Sequence, residues 1–105
     1  MVVPGVEAAV RATKNHKVGI IGTAATVRSG AYETMIRAEN PDIQVFSKAC
    51  PLFVPLAEEG WTDNEVSRLT AQSYLQELLT KGIDSLVLGY NHYPLLKRCI
   101  GTTVG

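Results

Sequence analysis

The residues of this 105-residue chain best suited to chemistry stand in one run, Ser85-Leu86-Val87-Leu88-Gly89-Tyr90-Asn91-His92-Tyr93-Pro94. Ser85 to Leu88 are too apolar for a surface segment and read as a buried strand. Gly89 lets the backbone turn. Tyr90, Asn91 and His92 then fall past the carboxyl end of that strand, where a parallel sheet presents its ligand-binding groups. Imidazole titrates near neutrality, so His92 is the acid/base candidate; the competing reading is a hydrogen-bonded structural histidine. A phenol, as at Tyr90, starts near a pKa of about 10.

A second polar cluster is Gly22-Thr23-Ala24-Ala25-Thr26, with Ser29 close behind. A strand-to-helix turn rich in amides and hydroxyls can hold a carboxylate or phosphate. The plainer alternative is that Thr26 or Ser29 caps a helix. The turn lacks the glycines and lysine of a phosphate loop. Cys50 invites a nucleophile reading, but it ends an apolar strand beside Pro51, and buried cysteine behaves as a small hydrophobe. Glu58 and His16, taken alone, read as solvated surface.

These clusters need elements to position them. Pro4 to Thr13 reads as a helix with Val6, Ala9, Val10 and Thr13 on one face. Val18 to Thr23 reads as a strand and polar turn, and Arg28 to Ala38 as a helix with Tyr32, Met35 and Ile36 turned inward. Ile43 to Cys50 is a second strand whose alternation places it nearer a sheet edge. Leu52 to Glu59 is short and helical or irregular. Thr62 to Lys81 is the longest helix, with capping-box spacing from Thr62 to Glu65 and an apolar face of Val66, Leu69, Tyr74, Leu75, Leu78 and Leu79. Gly82 ends it as a left-handed cap. Ile83 to Leu88 is the third strand and Pro94 to Ile100 a last helix. Strands alternate with helices, so the expected fold is α/β, a three-layer parallel sheet with flanking helices and right-handed crossovers. Three strands are few for such a sheet, and the expectation is an excised domain.

Bulk properties exclude several classes. Ten acidic and ten basic residues cancel, so no basic stripe recommends nucleic acid. The 46% hydrophobic and 19% charged fractions suit one folded domain. No apolar run reaches membrane-spanning length. Cys50 and Cys99 fit no metal or disulfide spacing. Met1-Val2-Val3-Pro4 carries no signal-peptide pattern, and the expected location is the cytoplasm.

The motifs also carry a resemblance. Leu88-Gly89-Tyr90-Asn91-His92-Tyr93-Pro94-Leu95-Leu96 resembles the Leu-Gly-Cys-Thr-His-Tyr-Pro-Leu-Leu motif of glutamate racemases, in the aspartate/glutamate racemase superfamily. Ile21-Gly22-Thr23, Thr26 and the Ser29-x-x-Tyr32 spacing are similar to a family stretch whose threonines contact the bound amino acid. Ala49-Cys50-Pro51-Leu52-Phe53-Val54-Pro55-Leu56 is similar to a segment whose cysteine is not catalytic. The acid at the position of Glu58 lies near the catalytic histidine in relatives. The departures are Tyr90, where the family has its catalytic cysteine, and Asn91, where it has threonine.

The resemblance implies a flavodoxin-like racemase domain, with residues 1–105 corresponding to the second of two domains. It implies interconversion of L- and D-glutamate for peptidoglycan synthesis, by proton transfer between two bases, with no cofactor and no metal. Thr23, Thr26 and Asn91 would hold substrate; position 90 would carry one base, tuned by His92 and Glu58. The other base belongs to an Ala-Cys-Asn-Thr motif of the amino-terminal domain, which does not occur here. As a lone chain it is therefore expected to lack racemase activity, with Tyr90 a packed aromatic. The expected partners are glutamate, the amino-terminal racemase domain and a second copy of the chain through an apolar interface, with no nucleic acid and no membrane. The alternatives are a non-catalytic amino-acid-binding or partner-binding relic and a phosphate or nucleotide binder.

Overall fold

Val18, Ile20 and Ile21 are apolar and β-branched, a composition that favours a strand buried on both faces. The computed structural model describes residues 2, 3, 5–61 and 64–89, and there these residues occupy the sheet's interior. The elements are β1 (Val2–Val3), α1 (Val6–Ala12), β2 (Lys17–Gly22), α2 (Ala24–Ser29), α3 (Ala31–Glu39), β3 (Gln44–Ala49), α4 (Phe53–Glu58), α5 (Glu65–Thr80) and β4 (Ser85–Leu88). The expected helix from Pro94 to Ile100 lies outside the described residues.

The sheet is parallel, in the order β1-β4-β2-β3. The three expected strands are present, and β1 joins them as a short edge strand pairing Val2 with Leu86 and Val3 with Val87. The sequence offers two apolar residues there, too few for a periodic signal. The opposite edge is β3, as its alternation suggested. Side chains alternate across the sheet and fill two cores. Val18, Ile20 and Val87 meet Ala9, Ile36 and Ile43 on one face. Ile21 and Leu86 meet Phe53, Leu56, Ala71, Leu75 and Leu78 on the other.

Two helix expectations change. The stretch expected as one helix from Arg28 is two, joined at Gly30, whose φ of 67° is left-handed. Tyr32 and Ile36, four residues apart, share the inward face; Met35 is a helical step of about 100° away and is 46% exposed. The long helix α5 is capped by Asn64, which accepts from Ser67 N while its own N–H donates to Ser67 Oγ, both at 2.9 Å. The capping box is thus Asn64–Ser67, two residues beyond the Thr62–Glu65 spacing expected from the sequence. The buried stripe of α5 is Ser67, Ala71, Leu75 and Leu78, and the expected face residues Val66, Leu69 and Leu79 are exposed. Small side chains at 67 and 71 let the helix approach the sheet, so it packs on a face that hydropathy underweights. At its far end Gly82 takes φ 81° and donates to Leu79 O at 3.0 Å, as a left-handed cap should.

Candidate functional site

The carboxyl ends of β2 and β4 come together at two glycines. Gly89 N donates to Ile21 O at 2.6 Å. A Cβ on Gly89 would stand 2.8 Å from that same carbonyl, 3.3 Å from Thr26 Cγ2 and 3.4 Å from Tyr32 Cε2. A Cβ on Gly22 would stand 3.1 Å from Thr26 Cγ2. Gly89 is absent from the left-handed positions of the described residues, so close approach, rather than turning, requires glycine here. Neither the motif nor hydropathy reveals that reason.

Thr23 is the residue that caps α2. Its Oγ1 accepts from Thr26 N at 3.2 Å and lies 2.9 Å from Thr26 Oγ1. The expected caps behave otherwise: Thr26 supplies the partner amide, and Ser29 Oγ donates to Thr26 O at 2.7 Å. Both threonines remain partly exposed. Two linked hydroxyls at the mouth of a parallel sheet suit a polar or anionic ligand group. Thr26 also has a second function, because its methyl is the wall against which Gly22 and Gly89 are small.

The next three residues in the chain are the remaining candidates, Tyr90, Asn91 and His92, and they lie outside the described residues. The strand that leads to them ends beside Thr26. Glu58 is the last residue of α4 and is exposed. The structure thus brings Thr23, Thr26 and the start of the 89–92 segment together.

Cys50 behaves as a core residue, as its sequence context indicates. It is fully buried, its N–H donates to Gly22 O at 2.9 Å, and burial pushes its thiol up to about 12, with Lys48 nearby opposing weakly. Its backbone therefore helps fix the end of β2 while its sulfur stays protonated. Among the described residues no cluster of three or more His, Cys, Asp or Glu could hold a metal ion, and no helix is long and apolar enough to cross a membrane. A shallow groove of about 290 Å3 lies between α4 and α5, lined by Leu52, Pro55, Leu56, Trp61 and Val66 among others; of the described site residues, neither Thr23, Thr26 nor Glu58 lines it.

The sequence reading missed Asp84, at the opposite end of the sheet. Its carboxylate accepts from Thr13 Oγ1 at 2.6 Å, Lys14 N at 2.7 Å, Asn15 N at 3.1 Å and Ser85 Oγ at 3.1 Å. Burial alone would raise its pKa; the hydrogen bonds from Thr13, Lys14, Asn15 and Ser85 outweigh burial and lower it to about 2. Three of the four donors lie about seventy residues away in the chain, so no local pattern could disclose the cluster.

The fold is that of an α/β domain built on a parallel sheet, the class in which ligands bind at the carboxyl edge of the strands. Its relatives are glutamate racemases. The chain is 58% identical over 102 residues to glutamate racemase of Geobacter metallireducens and 53% identical over 100 residues to that of a Sulfurihydrogenibium species. It spans 38% of the length of each of these relatives, matching their C-terminal portion. No family model matches it. Among solved structures, it superposes on glutamate racemase RacE1 of Bacillus anthracis with a TM-score of 0.89 at 35% identity, covering 97% of this chain and 38% of that one. It superposes on the Francisella tularensis glutamate racemase, in complex with D-glutamate, with a TM-score of 0.81 at 39% identity, covering 94% of this chain and 38% of that one.

Proposed function

We propose that this chain is a glutamate racemase-type domain, one of the two that form such a site, and that it binds glutamate at the carboxyl edge of its sheet. The observation that carries the reading is the joining of the Thr23–Thr26 hydroxyl pair to the end of β4 at Gly89, in a chain similar over nearly its whole length to glutamate racemases. Thr23, Thr26 and Asn91 are the substrate contacts. Position 90 is that of a base acting on the α-carbon, with His92 and Glu58 tuning it.

The lineage reaction is a proton transfer that inverts the α-carbon without a cofactor, supplying D-glutamate for peptidoglycan in the cytoplasm. One base removes the proton from one face and a second returns it from the other. A thiolate suits the task because neighbours can lower a thiol pKa; the phenol of Tyr90 is bulkier and a weaker acid. The second base belongs to a partner domain bearing an Ala-Cys-Asn-Thr motif. By itself the chain therefore binds glutamate without racemising it.

The test is the α-proton signal of L-glutamate in heavy water, followed by proton NMR with the chain, with Tyr90→Cys, and with each plus a racemase amino-terminal domain added in trans. The expected result is retention of the signal with the chain alone and loss with Tyr90→Cys plus the added domain. Loss with the unaltered chain alone contradicts the account of Tyr90. The substitution at position 90 also favours a second reading, a domain that binds an amino acid or a protein partner and catalyses nothing. Retention of the signal in every combination, with glutamate binding intact, selects that reading.

A further inference from the structure

Ser29 opens the Ser29-x-x-Tyr32 spacing, which the proposed function leaves without a role. It is the last residue of α2 and stands beside the break at Gly30, whose φ is 67°. In an unbroken helix Thr26 O would accept from the amide four residues on, that of Gly30. The break redirects that amide, and Gly30 N donates to Val27 O at 3.2 Å. Ser29 Oγ stands in for the diverted donor and bonds Thr26 O at 2.7 Å. The same oxygen accepts from Ala31 N at 3.3 Å, one of the first amides of α3, which have no acceptor within their own helix. One hydroxyl therefore serves a carbonyl at the end of α2 and an amide at the start of α3. Gly30, with no side chain, can supply neither bond.

Thr26 is thus held from two directions. Its N–H donates to Thr23 Oγ1 at 3.2 Å and its hydroxyl lies 2.9 Å from that oxygen, while its carbonyl engages Ser29. A helix of six residues such as α2 is too short to hold its turns by its own ladder. We propose that Ser29 is a positioning residue: by bridging the α2–α3 break at Thr26 O it keeps the Thr26 hydroxyl beside that of Thr23, in the arrangement that receives the carboxylate of an amino acid. The inference rests on reading that pair as an amino-acid site, but the bracing of Thr26 is separately measurable. Without the Ser29 hydroxyl the last turn of α2 frays, and the Thr26 side chain spreads over its three staggered wells. With about one well in three competent, glutamate affinity falls about threefold.

The experiment measures Thr26 side-chain couplings and a D-glutamate titration by NMR on the chain, with Ser29→Ala, Ser29→Thr and Thr80→Ala. Thr80 Oγ1 donates to Glu77 O, three residues back, at 2.6 Å on the exposed end of α5. Its removal deletes a bond of the same kind far along the chain from the threonine pair and controls for a general loss of helix stability. Expected for Ser29→Ala are averaged Thr26 couplings and about threefold weaker glutamate binding. Ser29→Thr, which keeps the hydroxyl, should match the parent in both, and so should Thr80→Ala. A fixed Thr26 side chain in Ser29→Ala, unaltered affinity, failure of threonine to rescue, or an equal loss in Thr80→Ala overturns the positioning role. If the parent itself shows no glutamate response, the amino-acid-site reading fails, and the Thr26 couplings alone decide the bracing.

Discussion

The two ends of the sheet are built on opposite plans. At the amino end, Asp84 gathers four donors and ties the loop after α1 to the start of β4; Asn15 Nδ2 adds a bond to Gly82 O at 2.7 Å. The polar groups there bond to one another, several of them at the exposed surface. At the carboxyl end, glycines and a methyl bring two strands close, and the hydroxyls of Thr23 and Thr26 stay partly open to solvent. One end spends its polar groups on holding the chain; the other leaves two linked hydroxyls partly open to solvent, where the proposed glutamate would bind. The contrast teaches that rigidity and reactivity are divided along the strands, with β2 and β4 connecting them.

Substitutions can break this division, and the largest effect should come from the anchored end. Asp84→Ala removes a charged acceptor from four donors, and Thr13 is 9% exposed, so its hydroxyl would be left almost dry. We expect a loss of about 3 kcal/mol in chemical denaturation, with any glutamate response at Thr23 and Thr26 retained in the folded fraction. At the other end, Gly89→Ala places a methyl against a backbone carbonyl that cannot swing aside. It should cost about 2 kcal/mol and abolish glutamate binding, measured by calorimetric titration. Loss of binding together with little loss of stability would sharpen the division further; undiminished binding would break it.

Smaller effects test the same contrast. Thr26→Val keeps the methyl wall and removes the hydroxyl, so stability should fall by about 1 kcal/mol while glutamate affinity drops about tenfold. Thr26→Ser reverses the pattern, retaining affinity better than packing. Acid provides the mildest probe. The Asp84 pKa near 2 when folded lies below an unfolded value of about 3.9. Its stabilisation is therefore complete above pH about 4 and disappears as pH falls from about 4 toward 2. Discounted for solvent screening, the loss should be about 1 kcal/mol, absent in Asp84→Ala. Urea midpoints for the two proteins across that window check the sign.

The sequence discloses the parts of this fold that repeat. The apolar runs of β2 and β4 and the flanking amphipathic α1 mark a parallel sheet, and alternation in β3 marks its edge. The face of α5 is obscured because Ser67 and Ala71, small rather than apolar, face the sheet. The break at Gly30 is hidden because glycine within a helical pattern is compatible with continuation as well as with a left-handed turn. At the site, residue types direct attention to Thr23 and Thr26. The need for glycine at 89 depends on Ile21, Thr26 and Tyr32 meeting in space, and the Asp84 cluster joins residues about seventy positions apart. Local spacing carries neither.

The most direct test of the central claim is a titration of the isotopically labelled chain with D-glutamate, with phosphate as the control. The account predicts saturable amide shifts centred on Thr23, Thr26 and Gly89, small shifts at Lys14, Asn15 and Asp84, and no comparable response to phosphate. Shifts confined to the Asp84 end, an equal response to phosphate, or no response to glutamate would contradict it.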